Sequence, residues 1–171
     1  PNLMTNQNTT TPTPRQTELD TLLQESAAAL AQMLSNGELL QGDAKLRTLL
    51  KEYPDWGLGW KLQAAFLTLL GRNEKAFEAV RTAARFLEND AELFNIIGTL
   101  FRNTGELDKA INCFLKSSEL DPFRAEVFNN LGGAFMLKGE QEYAIQVFRH
   151  ATQLNTNYPE AWQNLGSTLM L

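Results

Sequence analysis

The sequence predicts an all-α solenoid, a row of antiparallel helix pairs stacked on one another and wound into a right-handed superhelix. Three observations carry this reading. Glycines recur at Gly37, Gly71, Gly105 and Gly139, each 34 residues after the last, and a second series, Gly98, Gly132 and Gly166, keeps the same interval. In step with them a small residue returns as Gly42, Ala76, Ala110 and Ala144, a large apolar one as Leu46, Val80, Phe114 and Phe148, and an aromatic as Trp60, Phe94, Phe128 and Trp162. Within each period the apolar residues fall at three- and four-residue steps, which put them on one face of a helix, and no credible strand is found. A single helix pair cannot bury its apolar surface alone, so neighbouring pairs must stack.

Composition limits the function. The chain has 171 residues, enough for one domain with a sizeable core. Fifteen Lys and Arg against twenty Asp and Glu leave a formal charge of −5 with no basic stripe, which argues against nucleic acid as a partner. The only cysteine, Cys113, cannot form an internal disulfide and sits in a helical pattern as a small buried residue. No run of about eighteen apolar residues is present for a membrane span, and no secretory signal opens the chain, so a cytoplasmic location is expected.

The elements follow in order. Residues 1–15, "PNLMTNQNTTTPTPR", are rich in Thr, Asn and Pro without an apolar run and read as a disordered lead. Residues 16–171 form the repeat domain, with units at about 23–56, 57–90, 91–124 and 125–158 and a partial unit at 159–171. "TGELDKAINCF" at 104–114 and "KGEQEYAIQVF" at 138–148 show the same helix start one period apart. In unit 91–124, Phe94, Ile97, Leu100 and Phe101 make one apolar face and Leu107, Ala110, Ile111 and Phe114 another. Gly98 and Ala110 allow these two helices close approach, Gly105 supplies a left-handed turn between them, and Pro122 ends the second. Pro54 and Pro159 punctuate in the same way, Pro159 suiting the first turn of a new helix. In the partial unit Trp162, Leu165 and Leu169 form a packing face, and the missing second helix favours a natural chain that continues beyond Leu171.

Thirty-four is the period of the tetratricopeptide repeat, and the recurring Trp or Phe, Leu-Gly, Gly, Ala, Phe and Pro resemble that family closely. The resemblance implies that the first helix of each unit, at 57–70, 91–103, 125–137 and 159–169, lines a concave groove that holds a peptide of a protein partner. Helical phase then places Leu58, Lys61, Leu62, Ala65 and Leu69 toward the groove in the second unit and Asn95, Ile96, Thr99 and Arg102 in the third. Asn129, Asn130 and Gly133 follow in the fourth, then Gln163, Asn164 and Ser167. The expected groove runs from apolar to amide-lined.

Two uses of such grooves can be compared with these residues. The clamp that grips chaperone C-termini needs Lys, Arg and Asn where this chain has Ala65, Ile96 and Glu126, and is not matched. "NNLGGAF" at 129–135 and "QNLGSTL" at 163–169 resemble instead the asparagine ladder of O-linked N-acetylglucosamine transferases, with Asn130 and Asn164 on matching rungs and Ile96 breaking the series. The stretch "LLKEYPDWGLGWKLQAAFLTLLGR" at 49–72 is similar to the amino-terminal repeats of bacterial proteins that carry a glycosyltransferase-like, sulfotransferase or methyltransferase domain later in the chain.

Catalysis, a metal and a cofactor are not expected. His150 stands alone near the end of an outer helix as a solvated residue, Cys113 has no activating partner, and the carboxylates fall at helix starts and turns where capping and the dipole account for them. The expected function is a scaffold that binds an extended polypeptide in its groove, as the recognition arm of a larger protein. The alternatives are a free-standing chaperone of a secretion system and an adaptor that forms homo-oligomers through exposed repeat ends.

Overall fold

The computed structural model describes residues 13–171, and among them are nine α-helices and no strand. They are α1 (Pro14–Ser35), α2 (Leu39–Glu52), α3 (Gly57–Leu69), α4 (Asn73–Ala83), α5 (Ala91–Asn103), α6 (Leu107–Leu120), α7 (Ala125–Lys138), α8 (Gln141–Leu154) and α9 (Pro159–Leu169). The odd-numbered helices from α3 onward start at or beside the expected inward helices; α3, α5 and α7 each pack on their successor and on the next unit, and α9 packs on α8 and α7.

The helix ends follow from a few residue types. Gly105 sits at φ +82°, a left-handed conformation that a Cβ would strain, and lets the Glu106 N–H reach back to the Phe101 carbonyl at 2.8 Å. The other three glycines of that series adopt the same conformation. Asp90 caps α5 by accepting from the Leu93 N–H at 2.8 Å. Pro159 occupies the first turn of α9, where its missing N–H costs nothing.

Packing depends on matched sizes across each helix pair. A Cβ on Gly98 would lie 2.6 Å from the Phe114 ring, and one on Gly132 would lie 2.5 Å from the Phe148 ring. Both rings are buried because the glycines leave room for them. In the second unit the same two positions hold Ala64 and Val80, a larger residue facing a smaller one, and the pair remains buried. Four buried clusters then follow one another along the stack: Leu30, Leu46 and Phe66 across α1 to α3, Ala76, Val80 and Leu100 across α4 and α5, Phe114 and Leu131 across α6 and α7, and Phe148 with Leu165 across α8 and α9.

The amino-terminal end differs from expectation. Thr13 caps α1, and Pro14 and Arg15 already form its first turn, although all three fall in the stretch read as a loose lead. Residues 1–12 of that lead lie outside the described residues. At 22 residues α1 is the longest of these helices, and its Leu30 is fully buried against α2 and α3. No helix among the described residues is long and apolar enough to cross a membrane.

Candidate functional site

The first helices of successive units share one surface. A cavity of about 300 Å³ is lined by Leu34 of α1, Ala65, Thr68 and Leu69 of α3, Ile96, Thr99 and Arg102 of α5, and Asn130 of α7. Of the residues expected in the groove, it brings together Ala65, Leu69, Asn95, Ile96, Thr99, Arg102 and Asn130. Leu69 is 61% exposed beside this cavity, and Leu58, 36% exposed, does not line it.

The groove's polar residues form a ladder between units. Residues 61, 95 and 129 share one register position, and each donates to a glutamate 31 residues on. Lys61 Nζ lies 2.9 Å from Glu92 and 2.9 Å from Asp90. Asn95 Nδ2 donates to Glu126 Oε1 at 3.3 Å, and Asn129 Nδ2 donates to Glu160 Oε1 at 3.3 Å. A second set of bonds closes each amide rung: Asn130 Nδ2 donates to Asn95 Oδ1 at 3.0 Å, and Asn164 Nδ2 donates to Asn129 Oδ1 at 2.9 Å. The break at Ile96 now has a chemical reason. Ile96 stands where Asn130 and Asn164 stand, but the residue it would pair with is Lys61, whose ammonium has no acceptor to offer.

Several expectations change. Asn95 and Asn129 are buried, at 6% and 4% exposure, and their side chains join units instead of facing solvent. Lys61 is likewise buried in its ion pairs, and Leu62 packs into the cluster of Leu30, Leu46 and Phe66 instead of lining the groove. The Thr99 hydroxyl donates to the Asn95 carbonyl at 3.0 Å. Gln163 is exposed, while Asn164 lines a separate cleft of about 250 Å³ with Gly133, Ser167 and Leu171. Sequence reasoning gave Glu92, Glu126 and Glu160 no part in the groove, Glu126 entering only as a mismatch to the clamp, because each also sits in a first helical turn, where the dipole explains a carboxylate. Their 34-residue interval was the available signal.

The electrostatics agree with the geometry. Burial alone would lower the Lys61 pKa, but the bonds and charges of Glu92 and Asp90 outweigh it and hold the ammonium above its ordinary range. Burial pushes Asp90 up, and Lys61 with the Leu93 N–H outweighs it in the other direction, holding the carboxyl low. Burial lowers the Arg102 guanidinium, opposed by the Glu160 charge; its Nη1 reaches Asn130 Oδ1 only at 3.5 Å. Tyr158 is pushed up to about 12 by burial and by the carboxylates of Glu160 and Glu126.

The residues weighed for catalysis stay apart. His150 is exposed, its ring edge-on to Phe128 at 4.4 Å between centroids. Cys113 is half-buried, and burial pushes its thiol up, away from the reactive thiolate. Among the described residues no group of His, Cys, Asp and Glu could hold a metal ion.

Residues 91–124 and 125–158 match the tetratricopeptide repeat family model. No curated protein is a significant match in sequence. Among solved structures the chain is similar to PilF of Pseudomonas aeruginosa, with 22% identity over 88% of this chain and 69% of that one and a TM-score of 0.75. It is similar to a thermophilic tetratricopeptide protein of Thermus thermophilus, with 18% identity over 85% of this chain and 80% of that one and a TM-score of 0.76. A chain of the APC/C hetero-tetramer Cut9–Hcn1 is also similar, with 21% identity over 84% of this chain but only 29% of that one and a TM-score of 0.75. At these identities the likeness is one of fold. Proteins built from such repeats are in general non-catalytic scaffolds that bind other proteins. Two units of this chain thus match the tetratricopeptide repeat model in sequence, and the described residues together have the fold of an all-α tetratricopeptide solenoid.

Proposed function

We propose that this chain is a protein-interaction scaffold whose concave groove binds an extended polypeptide, and that it serves as the recognition arm of a larger protein. The observation that carries the groove reading is the ladder beside the cavity of about 300 Å³. Asn130 and Asn164 each use one amide hydrogen on the neighbouring unit, which leaves the second for a carbonyl of a bound chain. The exposed carboxylates of Glu126 and Glu160 offer acceptors to its N–H groups. Ala65, Leu69 and Ile96 give an apolar side chain a place at one end, where Arg102 also faces the cavity. A backbone held by pre-set amides is read without regard to its sequence, so preference falls to the apolar end. The recognition-arm part of the reading rests on the Gly-Trp-Lys stretch around Trp60 and on the groove's chemistry.

The test is titration of a partner captured with the intact protein against wild type, Leu69→Asp and Asn130→Ala. Each substitution is expected to weaken binding by about 0.5–1.5 kcal/mol. Unchanged affinity in both would place the partner elsewhere and end the groove reading.

A further inference from the structure

The largest cavity described lies on the other face of α3. It measures about 780 Å³ and opens between α2, α3 and α4, lined by Trp60, Gln63 and Leu67 of α3, whereas the groove uses Ala65, Thr68 and Leu69 of that helix. Its position repeats along the stack, but its chemistry does not. One period on, the register positions of Asp43 and Gln63 hold Phe77 and Ile97; two periods on they hold Ile111 and Leu131; three on, Ile145 and Leu165. All six of those residues pack into the apolar core. Among the described residues, only between the first two units does a buried carboxylate meet a buried amide, at 1% and 4% exposure.

The polar pair is incompletely satisfied. Asp43 Oδ1 accepts from Gln63 Nε2, and Asp43 Oδ2 accepts from Arg72 Nη1 at 2.9 Å with Arg47 Nη2 at 3.4 Å. Gln63 Oε1 has no donor within reach, although it is buried at the wall of the cavity. A buried acceptor without a partner is costly, and this one, with no surface open to the cavity, gains a ligand N–H when the Gln63 amide turns toward it. Arg47 and Arg72 converge on one carboxylate and keep most of their N–H groups free for a second, with Lys51 and Lys75 beside them. In a chain of net charge −5 this wall carries four cations against two carboxylates.

We infer that this cleft binds an acidic peptide segment of a partner protein: a carboxylate on Arg47 and Arg72, a backbone N–H on Gln63 Oε1, and an apolar side chain against Leu50 and Leu67. An acidic peptide supplies all three groups together, whereas an inorganic anion supplies only the first. The site is independent of the concave groove.

The test uses a fluorescein-labelled peptide of alternating Glu and Leu, followed by anisotropy, with its Gln-for-Glu counterpart and inorganic phosphate as comparisons. Two variants are made in the full chain: Lys51→Glu with Lys75→Glu on the exposed rim, and Asp43→Ile with Gln63→Leu, which copies the apolar pair found two periods later. The rim variant is expected to weaken the acidic peptide by about tenfold or more, as is the change to Gln; the buried-pair variant, which removes the carboxylate that already occupies Arg47 and Arg72, is expected to tighten it, while Leu69→Asp in the groove leaves it unchanged. Thermal melts separate binding from folding: the rim pair is exposed, so its variant keeps the wild-type melt and carries the test even if the buried pair unfolds. Three results would overturn the inference: no saturable binding to wild type, unchanged affinity in the rim variant, or displacement of the peptide by phosphate beyond that by chloride of equal ionic strength, which marks a simple anion site.

Discussion

The junction between the second and third units and the junction between the third and fourth use the same register positions with opposite chemistry. At the first, Lys61 is held between Asp90 and Glu92, and its neighbour in the ladder is the apolar Ile96. At the second, Asn95 donates to Glu126 and accepts from Asn130, so both its oxygen and its nitrogen are used. An ammonium gives three donors and no acceptor, so it gathers two carboxylates and ends the chain of bonds; an amide gives and takes, so it relays. The difference teaches that the amides of this groove are part of the joint between units before they are available to any ligand.

The comparison can be broken most directly at Lys61. Lys61→Met leaves Asp90 and Glu92 without their cation, and unfolding in urea should show a loss of about 1–3 kcal/mol, less than for a fully buried pair because Glu92 is 46% exposed. No measurable loss would mean that the ionic joint contributes nothing. Asn129→Ala should cost about 1–2 kcal/mol by the same measurement, since it strands the Asn164 amide and the Glu160 carboxylate where both retain some solvent. A conversion sharpens the point. Lys61→Asn combined with Ile96→Asn builds the amide relay at the ionic joint, and the pair should be more stable than Lys61→Asn alone by about 0.5–1.5 kcal/mol. Equal stability would show that the relay depends on features beyond these two positions.

The two joints also differ in their dependence on pH. The folded pKa of Lys61 is raised, so its contribution is fully present below its ordinary 10.5 and is lost as pH rises through the higher folded value. The folded pKa of Asp90 is lowered, so its contribution is present above its ordinary 3.8 and is lost as pH falls through the lower folded value. Melts across pH should therefore show the stability gap between wild type and the converted pair constant at neutral pH and shifting at both extremes. The smallest effect is expected at Gln163, which shares the register of Asn95 and Asn129 but is exposed: Gln163→Ala should stay within about 0.5 kcal/mol of wild type.

Much of this protein was legible in one dimension. The 34-residue interval, the left-handed glycines, the prolines between units and the matched small and large residues place the helices, because periodicity and backbone preference are properties of the chain itself. The groove helices were legible for the same reason. Which of their side chains face the groove was legible only in part, since helical phase set Lys61 beside Leu62 and Asn95 beside Ile96 without saying which the next unit would bury. That was decided by the stacking of one unit on another. The partners of Asn95 and Asn129 lie 31 and 35 residues away, across joints whose rotation no single helix specifies, and the joint between the first two units likewise turns Leu62 into the core and leaves Asp43 and Gln63 beside a cavity. Helices are written locally, whereas a hydrogen bond between units exists only once the backbone distances between them are fixed.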